Sequence, residues 1–226
     1  MRVAIRCLLI YVLLGGMRAG GSAGVGFVPD VRPKAVAASS TADYHGGLVT
    51  PPLPKPRFVL TDTSGAPFDF WSRTKGRVAL LFFGYTRCPN VCPMHMTYLA
   101  GALRKLPRDL AHQIIVVFVT TDPDHDTPKV LRAWLDNFDR SFVGLTGSQS
   151  AIDSAQVAAN IAPAKKSVSQ SGIPQLSHAA FVLAYTKDNL AHVVYPSGIS
   201  EDDWLHDLPQ LAAPAGTRFE SPHASD

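Results

Sequence analysis

Cysteine is scarce in this chain, with three in 226 residues, at positions 7, 88 and 92. So few exclude a disulfide framework, which needs several pairs at spaced positions. A charge excess of one sign is also lacking. Lys and Arg number 21 against 18 Asp and Glu, a net +3 that is too small and too scattered for a nucleic-acid surface. Long apolar runs are missing as well: the stretch Cys7–Gly16 falls short of the roughly 20 residues a spanning helix needs. There is no internal repeat, which excludes solenoids and propellers. What remains, with 46% hydrophobic and 17% charged residues, is room for one ordinary globular domain of about 150 residues plus tails.

The first residues have the form of an export signal. Arg2 and Arg6 precede the apolar run, small residues continue through Gly26, and no acid occurs before Asp30. Residues 1–23 are therefore expected to be a signal peptide or short membrane anchor, with Gly21-Ser22-Ala23 as a cleavage site. The expected location is the bacterial periplasm, tethered to the inner membrane if the segment is retained. An acid-poor, Arg-bearing start also fits a mitochondrial presequence, which would place the protein at the inner membrane or in the intermembrane space. Residues 24–54, rich in Pro, Gly and Ala, read as a flexible linker in which His45 is solvated. Cleavage would leave Cys88 and Cys92 as the only cysteines.

Residues 55–211 carry the periodic patterns of a domain, and 212–226 read as a disordered tail. Arg57 to Thr61 and Ala66 to Trp71 are short extended pieces. Val78 to Phe83 and Ile114 to Thr120 are unbroken apolar runs, as expected of central strands covered on both faces. Helices are predicted over about 92–106, from Thr127-Pro128 through Phe138, over 148–161, and from Ser200, which opens a capping box. Residues 162–177 read as an irregular loop. Ala179 to Tyr185 and Leu190 to Tyr195 form a hairpin. Strand and helix alternation followed by a hairpin and a last helix predicts an α/β fold of thioredoxin-like topology, a mixed central sheet with helices on both faces.

The chemistry concentrates in Phe82-Phe83-Gly84-Tyr85-Thr86-Arg87-Cys88-Pro89-Asn90-Val91-Cys92-Pro93. A buried strand delivers two thiols to the N-terminus of a helix. There the unpaired N–H groups and the helix dipole favour thiolate, the form that binds soft metals and attacks disulfides. The C-x-x-x-C spacing puts the sulfurs about one turn, roughly 5.4 Å, apart along the axis if both belong to that turn.

These residues, with Val119-Thr120-Thr121-Asp122-Pro123-Asp124-His125-Asp126-Thr127-Pro128 and Ser177-His178-Ala179, resemble the successive motifs of the SCO/SenC family over about residues 55–210. The resemblance implies a thioredoxin-like domain that binds copper, as Cu(I) or Cu(II), through Cys88, Cys92 and His178. It implies a chaperone for assembly of the binuclear copper centre of cytochrome c oxidase, not an enzyme. Its partners would be the apo copper-bearing oxidase subunit, other copper carriers and thiol reductants, close to a membrane and with no nucleic acid. Two thiolates and an imidazole suit that cargo. One departure stands out: the family often has Asp before this histidine, where this chain has Ser177.

A rival reading makes Cys88 and Cys92 the catalytic pair of a thiol-disulfide oxidoreductase acting on the copper-site cysteines of a partner or on other exported disulfides, with His178 tuning thiolate charge. Peroxide reduction assisted by Arg87 is weakly supported. Met94, His95 and Met96 offer a transient copper-docking set; the plainer expectation puts Met96 in the core and His95 in water. Asp122 and Asp126 are expected to cap backbone N–H groups. His112, His125, His192, His206 and His223 read as surface or structural residues without ligand partners.

Overall fold

Residues 43–168, 174–177 and 179–213 are described by a computed structural model. In chain order the elements are β1 (Gly47–Pro54), β2 (Val59–Asp62), β3 (Pro67–Asp69), α1 (Phe70–Arg73), β4 (Val78–Gly84), α2 (Val91–Lys105), α3 (Arg108–Ala111) and β5 (Ile114–Thr120). Then follow α4 (Pro128–Leu135), β6 (Val143–Thr146), α5 (Gln149–Ala158), β7 (Lys165–Val168), β8 (Pro174–Ser177), β9 (Phe181–Tyr185), β10 (Leu190–Pro196) and α6 (Glu201–Ala212).

Eight strands form one mixed sheet in the order β1-β10-β9-β4-β5-β6-β2-β3. At its centre β4 and β5 run parallel from Val78 beside Ile114 to Gly84 beside Thr120, and every residue of both strands is buried. β9 lies antiparallel on the other side of β4, with Val182 opposite Phe82. Side chains alternate along β4. Val78, Leu80 and Phe82 pack with Met96, Leu99, Leu131 and Trp204 of α2, α4 and α6, while Ala79, Leu81 and Phe83 pack with Phe70, Ile152 and Ala155 of α1 and α5. Helices therefore cover both faces, as the unbroken apolar runs predict. Each fully buried Leu or Phe in these layers contributes about 1.5–3 kcal/mol, so the β4–β5 pair is a firm platform for the turn that follows β4.

Three boundaries differ from the sequence reading. Residues 47–54, assigned above to a linker, form β1, paired with β10 from Gly47 beside Val194 to Pro54 beside Leu190. Pro51, Pro52 and Pro54 hide the strand in a composition count. An edge strand tolerates them because one side of its backbone has no ladder to complete. Lys55 follows it into the fold, buried, with its ammonium on the Thr74 hydroxyl at 3.1 Å. The extended piece expected over 66–71 stops at Asp69, whose carboxylate accepts the Ser72 N–H and starts the single turn of α1. Within the loop expected over 162–177, β7 and β8 pair antiparallel from Lys165 beside Ser177 to Val168 beside Pro174. Too little apolar alternation marks those strands for a pattern search to find them.

Candidate metal centre

The cysteine turn leaves the sheet where β4 ends. Gly84 has no room for a side chain, since a Cβ there would lie 2.9 Å from Cys92 Sγ and 3.0 Å from the Phe118 ring. The absent methyl lets the sulfur pack onto the strand end. Cys88 N–H bonds back to the Tyr85 carbonyl at 3.2 Å, closing the turn, and α2 begins at Val91 with Asn90 as its N-cap. Pro93 falls in the first helical turn, where a missing N–H costs no hydrogen bond.

Both cysteines are reduced; Cys88 is half-buried and Cys92 fully buried. The hydrogen bond shared with Cys88, with burial and the Cys88 charge behind it, pushes the Cys92 thiol far up, against a smaller opposing pull from the Tyr85 N–H. This reverses the thiolate expectation for Cys92, because desolvation and a proton held between two sulfurs outweigh the helix end. Tyr85 responds in the same direction, raised by burial and then by the two sulfurs.

Two aspartates hold the turn against β5. Fully buried Asp126 accepts the Thr86 N–H at 2.9 Å, the Thr86 hydroxyl at 2.5 Å and the Thr120 hydroxyl at 2.6 Å. Asp122, 7% exposed, accepts Arg87 at 2.6 Å, while the arginine side chain is 60% exposed. Asp126 caps a backbone N–H as expected, whereas the Asp122 carboxylate instead holds the Arg87 guanidinium.

Met96 lies in the core as expected and Met94 is exposed. His95 is 2% exposed instead of facing water, tilted against Phe82 at 5.0 Å. Burial lowers the imidazole pKa, against smaller upward pulls from the Ala180 backbone and from Cys88. Sequence reasoning missed this burial, although the signal was present: His95 falls on the buried stripe Cys92, His95, Met96, Leu99 at helical spacing.

His178 lies outside the described residues. Its neighbours Ser177 and Ala179 lie at the end of β8 and shortly before β9. By the β4–β9 register, the chain entering β9 runs past the end of β4, where the cysteine turn starts. Among the described residues no third His, Cys, Asp or Glu joins the two sulfurs in a ligand cluster.

Comparison with known proteins bears on the family and the fold. The chain is 36% identical over 95 residues to an SCO2-like protein of Rickettsia prowazekii, a match covering 42% of this chain and 45% of that protein. Among solved structures, apo Sco1 of Thermus thermophilus superposes with a TM-score of 0.67 at 31% identity, covering 76% of this chain and 99% of that one. Copper-bound ScoI of Bradyrhizobium japonicum does so with a TM-score of 0.62 at 28% identity, covering 71% and 99%. The matches to the first curated relatives span less than half of those proteins' length. The SCO1/SenC profile matches residues 50–213, from within β1 to just past α6. A thioredoxin-like sheet ending in a reduced C-x-x-x-C turn, matched by that profile over most of its length, makes the chain a member of the SCO1/SenC family.

Proposed function

We propose that the protein is a copper chaperone. It holds copper at Cys88, Cys92 and His178 and passes it to the apo copper-bearing subunit of cytochrome c oxidase. The observation that carries this reading is the sulfur pair itself: two reduced thiols at one helix end, one buried and one half-open, joined by a hydrogen bond. Soft thiolates with one imidazole form a donor set for Cu(I) that also accepts Cu(II). A site open on the Cys88 side can release its cargo to another set of ligands.

The raised Cys92 pKa shapes the exchange. Copper must displace a proton that the apo protein holds tightly, so loading releases protons and acid favours release. Asp126 and Gly84 keep the sulfurs in place while that proton leaves.

The copper-binding domain in this reading is the one predicted over 55–211, opened by β1 at Gly47. Residues 1–23 serve as export signal or anchor and those from 24 as tether, placing the domain in the periplasm close to the membrane. No described helix is long and apolar enough to cross a membrane.

Anaerobic copper titration of the reduced protein, beside a His178→Ala variant, tests the proposal. The expected result is one-to-one binding with a sulfur-to-Cu(II) charge-transfer band that weakens or vanishes in the variant. No stable complex, with a readily cycled Cys88–Cys92 disulfide, would favour thiol-disulfide exchange instead. One contrast supports that second reading: Cys88 is accessible as an attacking thiol and Cys92 is sheltered as a resolving one.

A further inference from the structure

Two imidazoles 161 positions apart in sequence lie face to face away from the cysteine turn. The rings of His45 and His206 stack with centroids 4.2 Å apart and planes 11° from parallel. Each rests its Nδ1 on a carboxylate, His45 on Asp203 at 2.6 Å and His206 on Asp207 at 2.7 Å. The side chains of both histidines are more than 40% exposed, whereas Asp207 is fully buried. Neither placement follows from the sequence reading, which left His45 in a linker and His206 without a partner.

Asp207 has structural work that does not involve the imidazoles. Its Oδ2 accepts the His45 N–H at 3.0 Å, the Gly46 N–H at 3.2 Å and the Tyr195 hydroxyl at 2.9 Å, tying the entry of β1 to α6. Backbone and phenol supply that clamp. The two imidazole side chains are additional to it, and their chemistry is that of ligands. When Nδ1–H is given to a carboxylate, the tautomer is fixed and the Nε2 lone pair points outward, which is how metal-bound histidines are commonly oriented.

We propose that His45 and His206 hold a divalent first-row transition ion through Nε2 at a surface site separate from the dithiol, with Asp203 and Asp207 orienting the rings from Nδ1 and water completing the shell. The two imidazoles are already brought together, one atom from each lying within 4.8 Å of the other and of an Asp207 oxygen. Tetrahedral coordination at about 2.1 Å sets donors about 3.4 Å apart, so the two rings shift to share one ion. Parallel rings cannot both hold one ion in plane. His45, exposed and ahead of β1, is the ring that turns out of the stack. Nitrogen and oxygen donors without sulfur select Cu(II) and Zn(II) over Cu(I), and Cu(II) binds the tighter of the two. The bound ion would cross-link the lead into β1 to α6.

The test uses the full chain with Cys88→Ser/Cys92→Ser, titrated with Cu(II) and separately with Zn(II), beside the same protein carrying His45→Ala or His206→Ala. One equivalent of Cu(II) should bind with imidazole-nitrogen hyperfine structure, no sulfur charge-transfer band and a raised Tm. Each histidine substitution should weaken binding by about tenfold or more. His45→Ala keeps the backbone N–H on Asp207, so its metal-free Tm should match the parent and a loss of binding cannot be assigned to unfolding. Adding His178→Ala should leave this binding unchanged. Absence of saturable binding, an affinity unchanged from the parent in either histidine variant, or loss of the signal with His178→Ala would overturn the proposal.

Discussion

Thr86 and Asp126 are joined twice, through the Thr86 N–H at 2.9 Å and its hydroxyl at 2.5 Å, across 40 residues of chain. Because Asp126 is fully buried and also receives Thr120, its removal strands donors on both sides of the cysteine turn. Asp126→Ala is expected to cost about 3 kcal/mol, each charge-assisted bond contributing more than a neutral one. Denaturant unfolding measures this, and a loss within experimental error would show that the turn is held by other contacts.

Gly84 permits the close approach of Cys92. A methyl group there meets Sγ at 2.9 Å and Phe118 at 3.0 Å, both in packed surroundings. Gly84→Ala should destabilise by about 1–3 kcal/mol, as overpacking does, and should weaken Cu(I) retention measured against a competing chelator. Unchanged retention would mean the sulfur can sit elsewhere and still serve.

The two thiols should react unequally. Cys88 is half-buried while Cys92 is fully buried, with its thiol form favoured by the bond to Cys88 and by burial. Brief alkylation of the reduced protein at pH 8, read by peptide mass mapping, should label Cys88 faster by on the order of tenfold. Equal labelling would indicate that the turn opens on the time scale of the reaction.

His95 gives an acid dependence of predictable sign. Burial lowers its pKa below the unfolded value of about 6.5. Folding therefore favours the neutral ring: the stability it confers is complete above about pH 6.5 and declines as pH falls through that value toward the folded pKa. His95→Leu, close in volume and with no polar nitrogens to bury, should be about 1 kcal/mol more stable at neutral pH and should show a flatter loss between pH 7 and 5. Thermal unfolding across that range decides it, and parallel curves would place the titration elsewhere.

The central strands and the dithiol turn were legible because each is written in contiguous residues: Val78 to Phe83 and Ile114 to Thr120 are apolar throughout, and Cys88 to Pro93 is a local motif. What escaped depends on partners distant in the chain. β1 takes its strand character from β10, about 140 residues on, and its prolines argue locally for a linker. His45 is fixed by Asp203 and Asp207, which no local pattern connects to it. The buried state of His95 could have been found from its place on the Cys92–Leu99 stripe, had polarity not been weighed above spacing. The charge state of Cys92 could not, because it turns on a contact between sulfurs and on desolvation that the helix-end argument leaves out.

The prolines of β1 matter to encounters between molecules. A sheet ending in an exposed strand offers a row of unpaired N–H and C=O groups on which another copy can add its own strand. Pro51, Pro52 and Pro54 carry no N–H, and the pairing register shifts between Leu48 and Leu53, so this border of the sheet cannot present a regular ladder. The protein is thereby kept from edge-to-edge assembly along this border by the residues that make its first strand hard to recognise.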